Sequence, residues 1–370
     1  MINRYWKGRI MLPIERDRMS NDIESILYEL DNHEIKPLYK LYYLIKPMIP
    51  RPLQIYLRRI SAGFIIYKGY ECVERIYHEA VLKNTEEDAE PFNFIWFWPN
   101  RMTMASLITH DVETTSGFRK VLQLADIDAS YQVKSSFKFV PEGYRIDFGV
   151  INELKRRGFE IAIHGLNHDG QLFISKKSFR QKLNKIEEYA KQWQTQGFRS
   201  PSLLRNHKLM KNFTFNWDSS FPDWDPYGPQ PGGCRTVFPF FISNHTVELP
   251  VTIMQDHTLF EILNKKDIAI WKQKYNYIKS LSGLANIIIH PDYIFNSNRI
   301  KYYRDYLEFI SRDCCVWQTY PSDLANWWRE RDRLFINKKT DSSLYIEGPS
   351  SSKATIAKTI TKKGKLHFIF

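Results

Sequence analysis

From about residue 101 to 335, short apolar runs alternate with stretches whose apolar residues recur at helical spacing. The runs MASLIT (104–109), SSFKFV (135–140), IAI (161–163), VELPVTI (247–253), ANIIIH (285–290) and CVWQTYP (315–321) have the character of buried strands. ASYQV (129–133) is a further strand-like piece. Between them, Phe148–Arg157, Phe179–Gln194, Asp267–Leu281, Asn298–Ile310 and Asp323–Phe335 predict helices. Another helix starts within 114–126, and a helix-sized stretch follows residue 201. Gly158 and Gly197 close two of the helices, and Ser322 is placed to cap the last. This alternation predicts an α/β domain with a mostly parallel sheet.

The flanks have a different pattern. Residues 1–92 predict an N-terminal helical accessory region, with helices at Ser20–Leu30, Pro52–Ile60 and 73–83 and an acidic linker at 84–93. Pro52–Ile60 is amphipathic, with Arg58 and Arg59 on its polar side. Such a helix is expected to pack its apolar face on the main domain and leave its cations exposed. The alternative is that it lies on an anionic membrane surface. Residues 337–370 are short, β-branched and nearly alternating, which predicts a small C-terminal β appendage for packing or partner contacts.

Composition narrows the classes. The 370 residues are 43% hydrophobic and 25% charged, as in ordinary globular proteins. A net charge of +12 favours anionic partners, but the cations are spread along the chain without a nucleic-acid signature, so no nucleic-acid partner is expected. Cys72, Cys234, Cys314 and Cys315 lack a CxxC spacing and fit reduced thiols. The first residues have no secretory h-region, and no run of 18 apolar residues occurs. The expectation is a cytoplasmic protein, or one held at the inner membrane face by its basic N-terminal region. No feature points to a particular oligomeric state.

The chemistry-bearing residues fall where the apolar runs end. Asp111 and Glu113 follow the first run, His164 and His168 stand in IHGLNH, Arg199 in FRSP, and His290 ends ANIIIH. Two imidazoles at a strand end and its loop can converge on one metal ion. A carboxylate added to them leaves coordination positions for water and substrate. A second carboxylate is then available as general base, and a separate histidine as general acid. An arginine near the base would hold it ionised. Each residue also has a structural use: Asp111 and Glu113 could cap a helix, Arg199 could pair at the surface, His290 could be a core histidine, and Asp218 with Ser219 and Ser220 could form a turn. His110, His207, His245, His257 and Asp256 receive no role, although Asp256 and His257 follow a strand end and could line a cleft.

The ordered set THDVE (109–113), HGLNH (164–168), FRSP (198–201), WDSSF (217–221), LPVT (249–252) and IIIHP (287–291) resembles the polysaccharide deacetylase superfamily of NodB type. The resemblance covers roughly residues 93–335. It implies a distorted (β/α) barrel over 93–336 and a metal-dependent hydrolase that removes an N-acetyl group from a sugar or glycan. Carried over by position, it assigns His164 and His168 as metal ligands, Asp111 as base, Arg199 as the group orienting that base, and His290 as general acid. Val112 stands where many members have a second aspartate. By the Asp-x-Glu variant of one branch, Glu113 is the third ligand, with Asp111 as the alternative. The implied cofactor is a divalent metal ion, zinc by default. The loop at 217–233, with Trp217, Trp224 and Tyr227, is expected to form a sugar-stacking wall. Two rival functions stand beside this one: hydrolysis of another C–N bond, such as a cyclic amide, and a metal-free barrel that binds glycan in an assembly system.

Overall fold

The computed structural model describes residues 49–65, 93–362 and 365–370. The expected helices at Ser20–Leu30 and 73–83 and most of the acidic linker lie outside the described residues. Helix α1 (Arg51–Gly63) and strand β1 (Asn93–Ile95) precede the main sheet. Strand β2 (Met104–Val112) is buried at all nine positions. A parallel strand covered on both faces has no polar face to alternate, so it appears in sequence as a continuous apolar run. Then follow α2 (Val121–Ser130), β3 (Ser135–Phe139), α3 (Phe148–Arg156), β4 (Glu160–His164), α4 (Lys176–Gln192) and β5 (Gly197–Arg199). Asp147 and Ser175 cap α3 and α4, accepting from Gly149 N and Ser178 N.

The second half is less regular. It holds β6 (Trp217–Asp218), β7 (Phe240–Phe241), β8 (Val247–Glu248), α5 (Ala269–Ser280), β9 (Leu284–Ile289), α6 (Ile300–Ser311), β10 (Val316–Gln318) and α7 (Pro321–Arg331). The sheet order is β10-β2-β3-β4-β5-β6-β8-β7, and β9 also pairs with β2. Every pairing is parallel except β7 with β8. The sheet curls into a half-barrel with its helices outside, the barrel that the motifs implied. No ladder joins β8 to β9. That seam is closed by Asn286, whose carbonyl accepts from Thr252 N at 3.1 Å and Ile253 N at 3.0 Å. Its Nδ2 donates to Ser219 Oγ at 3.0 Å and to the Leu249 and Pro250 carbonyls at 3.1 Å each.

Several local expectations are corrected. ASYQV is not a strand: Ala129 and Ser130 complete α2, and Val133 N returns to the Asp128 carbonyl at 2.9 Å to close it. The helix wins because Leu124, Ala125 and Ile127 need burial on its inner face. VELPVTI ladders only at Val247–Glu248, since Pro250 has no N–H to donate. The stretch after residue 201 forms a single turn at His207–Met210. Ser322 does not cap α7. Pro321 opens that helix, and the Ser322 N and Oγ donate to Glu160 Oε2 at 3.1 and 2.8 Å.

The C-terminal strands form a hairpin, β11 (Phe335–Lys338) with β12 (Leu344–Glu347), followed by β13 (Ile356–Lys362) and β14 (Lys365–Ile369). β13 pairs antiparallel with β1. Phe368 lies 5.5 Å from both Phe94 and Trp96, so the appendage is packed on the aromatic stretch that leads into the barrel.

The orientation of α1 is also corrected. Its arginines face the barrel: Arg59 Nε donates to the Glu261 carbonyl at 2.7 Å and Arg58 Nη2 to the Tyr227 carbonyl at 3.1 Å. Leu53, Tyr56, Leu57, Ile60 and Phe64 face outward. Acceptors on the rim take the guanidinium donors and thereby turn the apolar side away. Among the described residues no helix is long and apolar enough to cross a membrane.

One glycine is fixed by packing. A Cβ at Gly197 would stand 2.0 Å from Trp217 Cζ2, so the indole occupies the space a side chain would need. Gly197→Ala is expected to lower stability by roughly 1–3 kcal/mol through overpacking. Chemical denaturation followed by circular dichroism measures this; an unchanged midpoint would show that the indole can move aside.

Candidate metal centre

His164 is the last residue of β4, and its register partner on β5 is Arg199. The His164 Nδ1 lies 3.1 Å from the Arg199 carbonyl, which can only accept, so Nδ1 carries the proton. Nε2 therefore presents its lone pair, and it is buried without a hydrogen-bond partner. Facing it are Glu113 Oε1 at 3.6 Å and Asp111 Oδ2 at 3.9 Å. His168 Nε2 lies 2.8 Å from the same Glu113 oxygen. The ligand atoms of Glu113, His164 and His168 all fall within 4.8 Å of one another. Two imidazole nitrogens and a carboxylate oxygen, with an orphaned buried acceptor among them, fit a first-row divalent cation.

The loop that joins the two histidines is held in unusual backbone. Gly165 has φ +64°, and a Cβ there would meet Pro201 Cγ at 2.4 Å, so the glycine of HGLNH and the proline of FRSP require each other. His168 has φ 52°, a conformation rarely adopted by a side-chain-bearing residue and one that places its ring beside His164, with 5.2 Å between centroids. Burial drives the His164 pKa down, which keeps the imidazole in its neutral, ligating form. Burial alone would raise Glu113, but His168 and His290 outweigh it and hold the carboxyl well below its ordinary range.

Asp111 is the second carboxylate. It is 2% exposed, and its Oδ1 accepts from Arg199 Nη1 at 2.8 Å. Arg199 is fully buried and spends its other donors on Thr109 Oγ1, the Ser219 carbonyl and Ser219 Oγ, at 2.7–2.8 Å. Burial pushes Asp111 up; Arg199, then His164 and Lys138, push harder the other way, and the carboxyl ends well below its ordinary value. Its Oδ2 remains turned toward His164 Nε2. Lys138, the register partner of Asp111 on β3, is buried with no hydrogen-bond partner for Nζ, 5.4 Å above the Trp217 ring.

His290 closes the other side. Its Nδ1 lies 2.6 Å from Asp256 Oδ1, and its backbone N donates to Asp256 Oδ2 at 2.8 Å. Nε2 faces Glu113 Oε1 at 3.5 Å. Burial lowers the pKa of His290, but Asp256 and Glu113 overcome it and hold the ring well above its ordinary value. Asp256 was noticed in the sequence without a role. It begins a loop that folds back through the π-helix His257–Ile262, and spacing along the chain carries no signal for that return.

Other candidates lie elsewhere. His110 points away from the cluster, its Nε2 2.7 Å from Asp128, which also accepts from Ser135 and Tyr303 at 2.6 Å. The histidines 207, 245 and 257 stand outside the metal cluster. Trp217 is 1% exposed inside the barrel, with its Nε1 on Glu160, so the expected sugar-stacking wall loses that residue. Trp224 and Tyr227 are partly exposed, and the Arg235 guanidinium lies 4.3 Å over the Trp224 ring. Asp218 is no turn residue. It is fully buried beside Glu248, also fully buried, and burial followed by Asp218 raises Glu248 well above the carboxylate range. A proton on Glu248 lets its hydroxyl donate to Asp218 while the Phe221 N–H donates to Oε1 at 2.9 Å.

No family model matches the chain, and no curated protein matches it. Solved structures do. A protein described as a polysaccharide deacetylase from Mycobacterium smegmatis aligns with a TM-score of 0.52 at 21% identity, over 63% of this chain and 92% of that one. Puue allantoinase aligns at 0.53 and 14%, over 63% and 92% of the two chains. A protein described as a polysaccharide deacetylase from Pseudomonas aeruginosa PAO1 aligns at 0.50 and 13%, over 63% and 93%. At these identities the likeness is one of fold, and the fold is the polysaccharide deacetylase barrel.

Two outcomes are expected. Purified protein should hold about one divalent ion per chain, and His164→Ala should abolish it by inductively coupled plasma mass spectrometry. Retention of the ion by the variant would remove the cluster from consideration. The second concerns Glu248, an acid held neutral in the folded state. Unfolded Glu248 ionises above its ordinary value of 4.5 while the folded group does not, so stability falls as pH rises from there toward the raised folded value. Glu248→Gln should flatten the decline in melting temperature between acid and neutral pH; parallel curves for the two proteins would refute the shared proton.

Proposed function

We propose that this protein is a metal-dependent hydrolase that removes N-acetyl groups from a sugar or glycan. The observation that carries the proposal is the placement of two oriented groups on either side of one ligand cluster. Asp111 is held by Arg199 at 2.8 Å on one side and His290 by Asp256 at 2.6 Å on the other, with Glu113, His164 and His168 between them. The neighbouring charges push the Asp111 pKa well below its ordinary value and that of His290 well above.

A divalent ion held by Glu113, His164 and His168 would lower the pKa of water and polarise an amide carbonyl. Asp111 takes the proton from the attacking water at Oδ2, because its Oδ1 is committed to Arg199. Arg199 keeps this carboxylate ionised and fixes its direction through Thr109 and Ser219. The C–O bond to the amide carbonyl carbon forms first; as the C–N bond then breaks, the departing amine takes a proton from His290 Nε2. Asp256, on His290 Nδ1, fixes the ring orientation and stabilises the imidazolium that the step requires. Acetate and the free amine leave together.

The barrel is similar both to polysaccharide deacetylases and to an allantoinase, so the fold favours neither substrate. Acetate release from N-acetylated oligosaccharides, set against turnover of cyclic amides, decides between them. Asp111→Asn and His290→Asn should each lower kcat by about 10²–10⁴-fold. Asp256→Asn should lower kcat with little change in KM and move the acidic partner's limb in the pH profile. Undiminished activity in either of the first two variants would sink the mechanism, and a silent Asp256→Asn would remove that residue from it.

A further inference from the structure

Helix α1 is attached to the barrel by its polar side. Arg58 reaches the Tyr227 carbonyl, in the loop after β6, and Arg59 the Glu261 carbonyl, in the π-helix. The π-helix starts directly after Asp256, and its His257 ring lies 4.8 Å from Tyr293, which in turn lies 5.3 Å from His290. The helix therefore sits on the rim at the C-terminal ends of the strands, beside the candidate metal centre.

Its outer side has no function in that attachment. Leu53, Tyr56, Leu57 and Ile60 are 44–60% exposed, and Phe64, just past the helix, is 84% exposed. These residues recur at spacings of three and four, so they form one stripe along the helix. A continuous exposed stripe of large apolar side chains on a soluble barrel marks an interaction surface. The composition around it says what it meets. Besides the two arginines that hold the barrel, residues 36–70 of the sequence contain Lys36, Lys40, Lys46, Arg51 and Lys68 and no Asp or Glu. A stretch of sequence whose charges are all positive, and which contains an outward Leu, Ile, Tyr and Phe stripe, matches a surface that is negative at its boundary and apolar beneath. The Tyr56 ring suits the boundary itself, where one end is wet and the other apolar. A protein partner or a second copy with such a uniform negative rim would be a special case; an anionic bilayer offers it generally.

We infer that α1 docks the barrel onto anionic lipid bilayers, with Leu53, Tyr56, Leu57, Ile60 and Phe64 inserted at the interface. The docked surface adjoins the mouth of the metal centre. If the proposed hydrolase function holds, on which this last step alone rests, the acetylated substrates presented to it are glycans held at a membrane.

The test uses the full chain and vesicles of phosphatidylcholine with or without phosphatidylglycerol, and reads co-sedimentation without any catalysis. Wild type should sediment with the anionic vesicles, less with the neutral ones, and less at high salt. Leu57→Asp with Ile60→Asp should weaken sedimentation by about tenfold or more, because apolar area and a favourable charge are lost together. Melting temperature and metal content should not change, since both side chains are exposed. Equal sedimentation of wild type and double variant overturns the inference, as does failure of wild type to sediment. A wild-type dimer in solution that the double variant converts to monomer also overturns it, since a second copy then covers the stripe. Loss of acetate release with vesicle binding intact would count against the hydrolase function and leave the docking surface standing.

Discussion

The Arg199–Asp111 pair is the constraint on which the site and the barrel both depend. A buried guanidinium is tolerated when its charge is paired and its donors find acceptors, and removing one partner of such a pair typically costs about 3–5 kcal/mol. Arg199 pairs with Asp111 and places most of its donors, reaching β2 through Thr109 and Asp111 and the end of β6 through Ser219, while its own backbone lies on β5. The same contacts orient the Asp111 carboxylate and tie three strands across the interior. The Arg199 carbonyl adds a third task, since it fixes the tautomer of His164. A substitution at Arg199 would thus affect folding, the Asp111 carboxylate and the His164 ring together.

Around this pair, Lys138 and Glu160 are both driven by burial toward their neutral forms. Glu160 holds Trp217 and Ser322, which makes it a structural acceptor rather than a second base. In the Arg199–Asp111 pair opposite charges face each other. Beside it stand the Glu113 carboxylate among three imidazoles, and His290 with Asp256 behind it. Burial strengthens the electrostatic interactions among these groups.

Much of this was legible in the sequence, and for a physical reason. A buried parallel strand is a continuous apolar run, and its end is where polar side chains can first reach solvent. The terminal residues of MASLIT, IAI and ANIIIH therefore announced the positions of Asp111, His164 and His290. The helices with strong amphipathic spacing, α3, α4 and α6, were likewise visible to within a few residues. What escaped were features set by the fold's return paths. Asp256 reaches His290 only because the π-helix turns back on the barrel. Glu248 and Asp218 meet as register partners on adjacent short strands, a pairing that local pattern does not encode. Asn286 lies within an apolar run as if it were an interruption, and in the structure it closes the seam.

Trp217 and α1 show how a correct local pattern can be assigned to the wrong surroundings. An indole near a loop dense in Pro, Gly and Asp looks like a sugar platform, yet Gly197 opens a space for it inside the barrel. Hydrophobic area alone favours that placement, since full burial of a large aromatic outweighs partial exposure at a rim. For α1 the opposite happens. Its apolar stripe would ordinarily turn inward, but the rim offers carbonyl and carboxylate oxygens at Tyr227 and Glu261 to the opposite side of the helix. Guanidinium donors satisfy those oxygens directly, so polar complementarity sets the contact face and leaves the hydrophobic one outward. Amphipathicity therefore identifies that a helix has two faces; which face meets the domain is decided by what the domain presents.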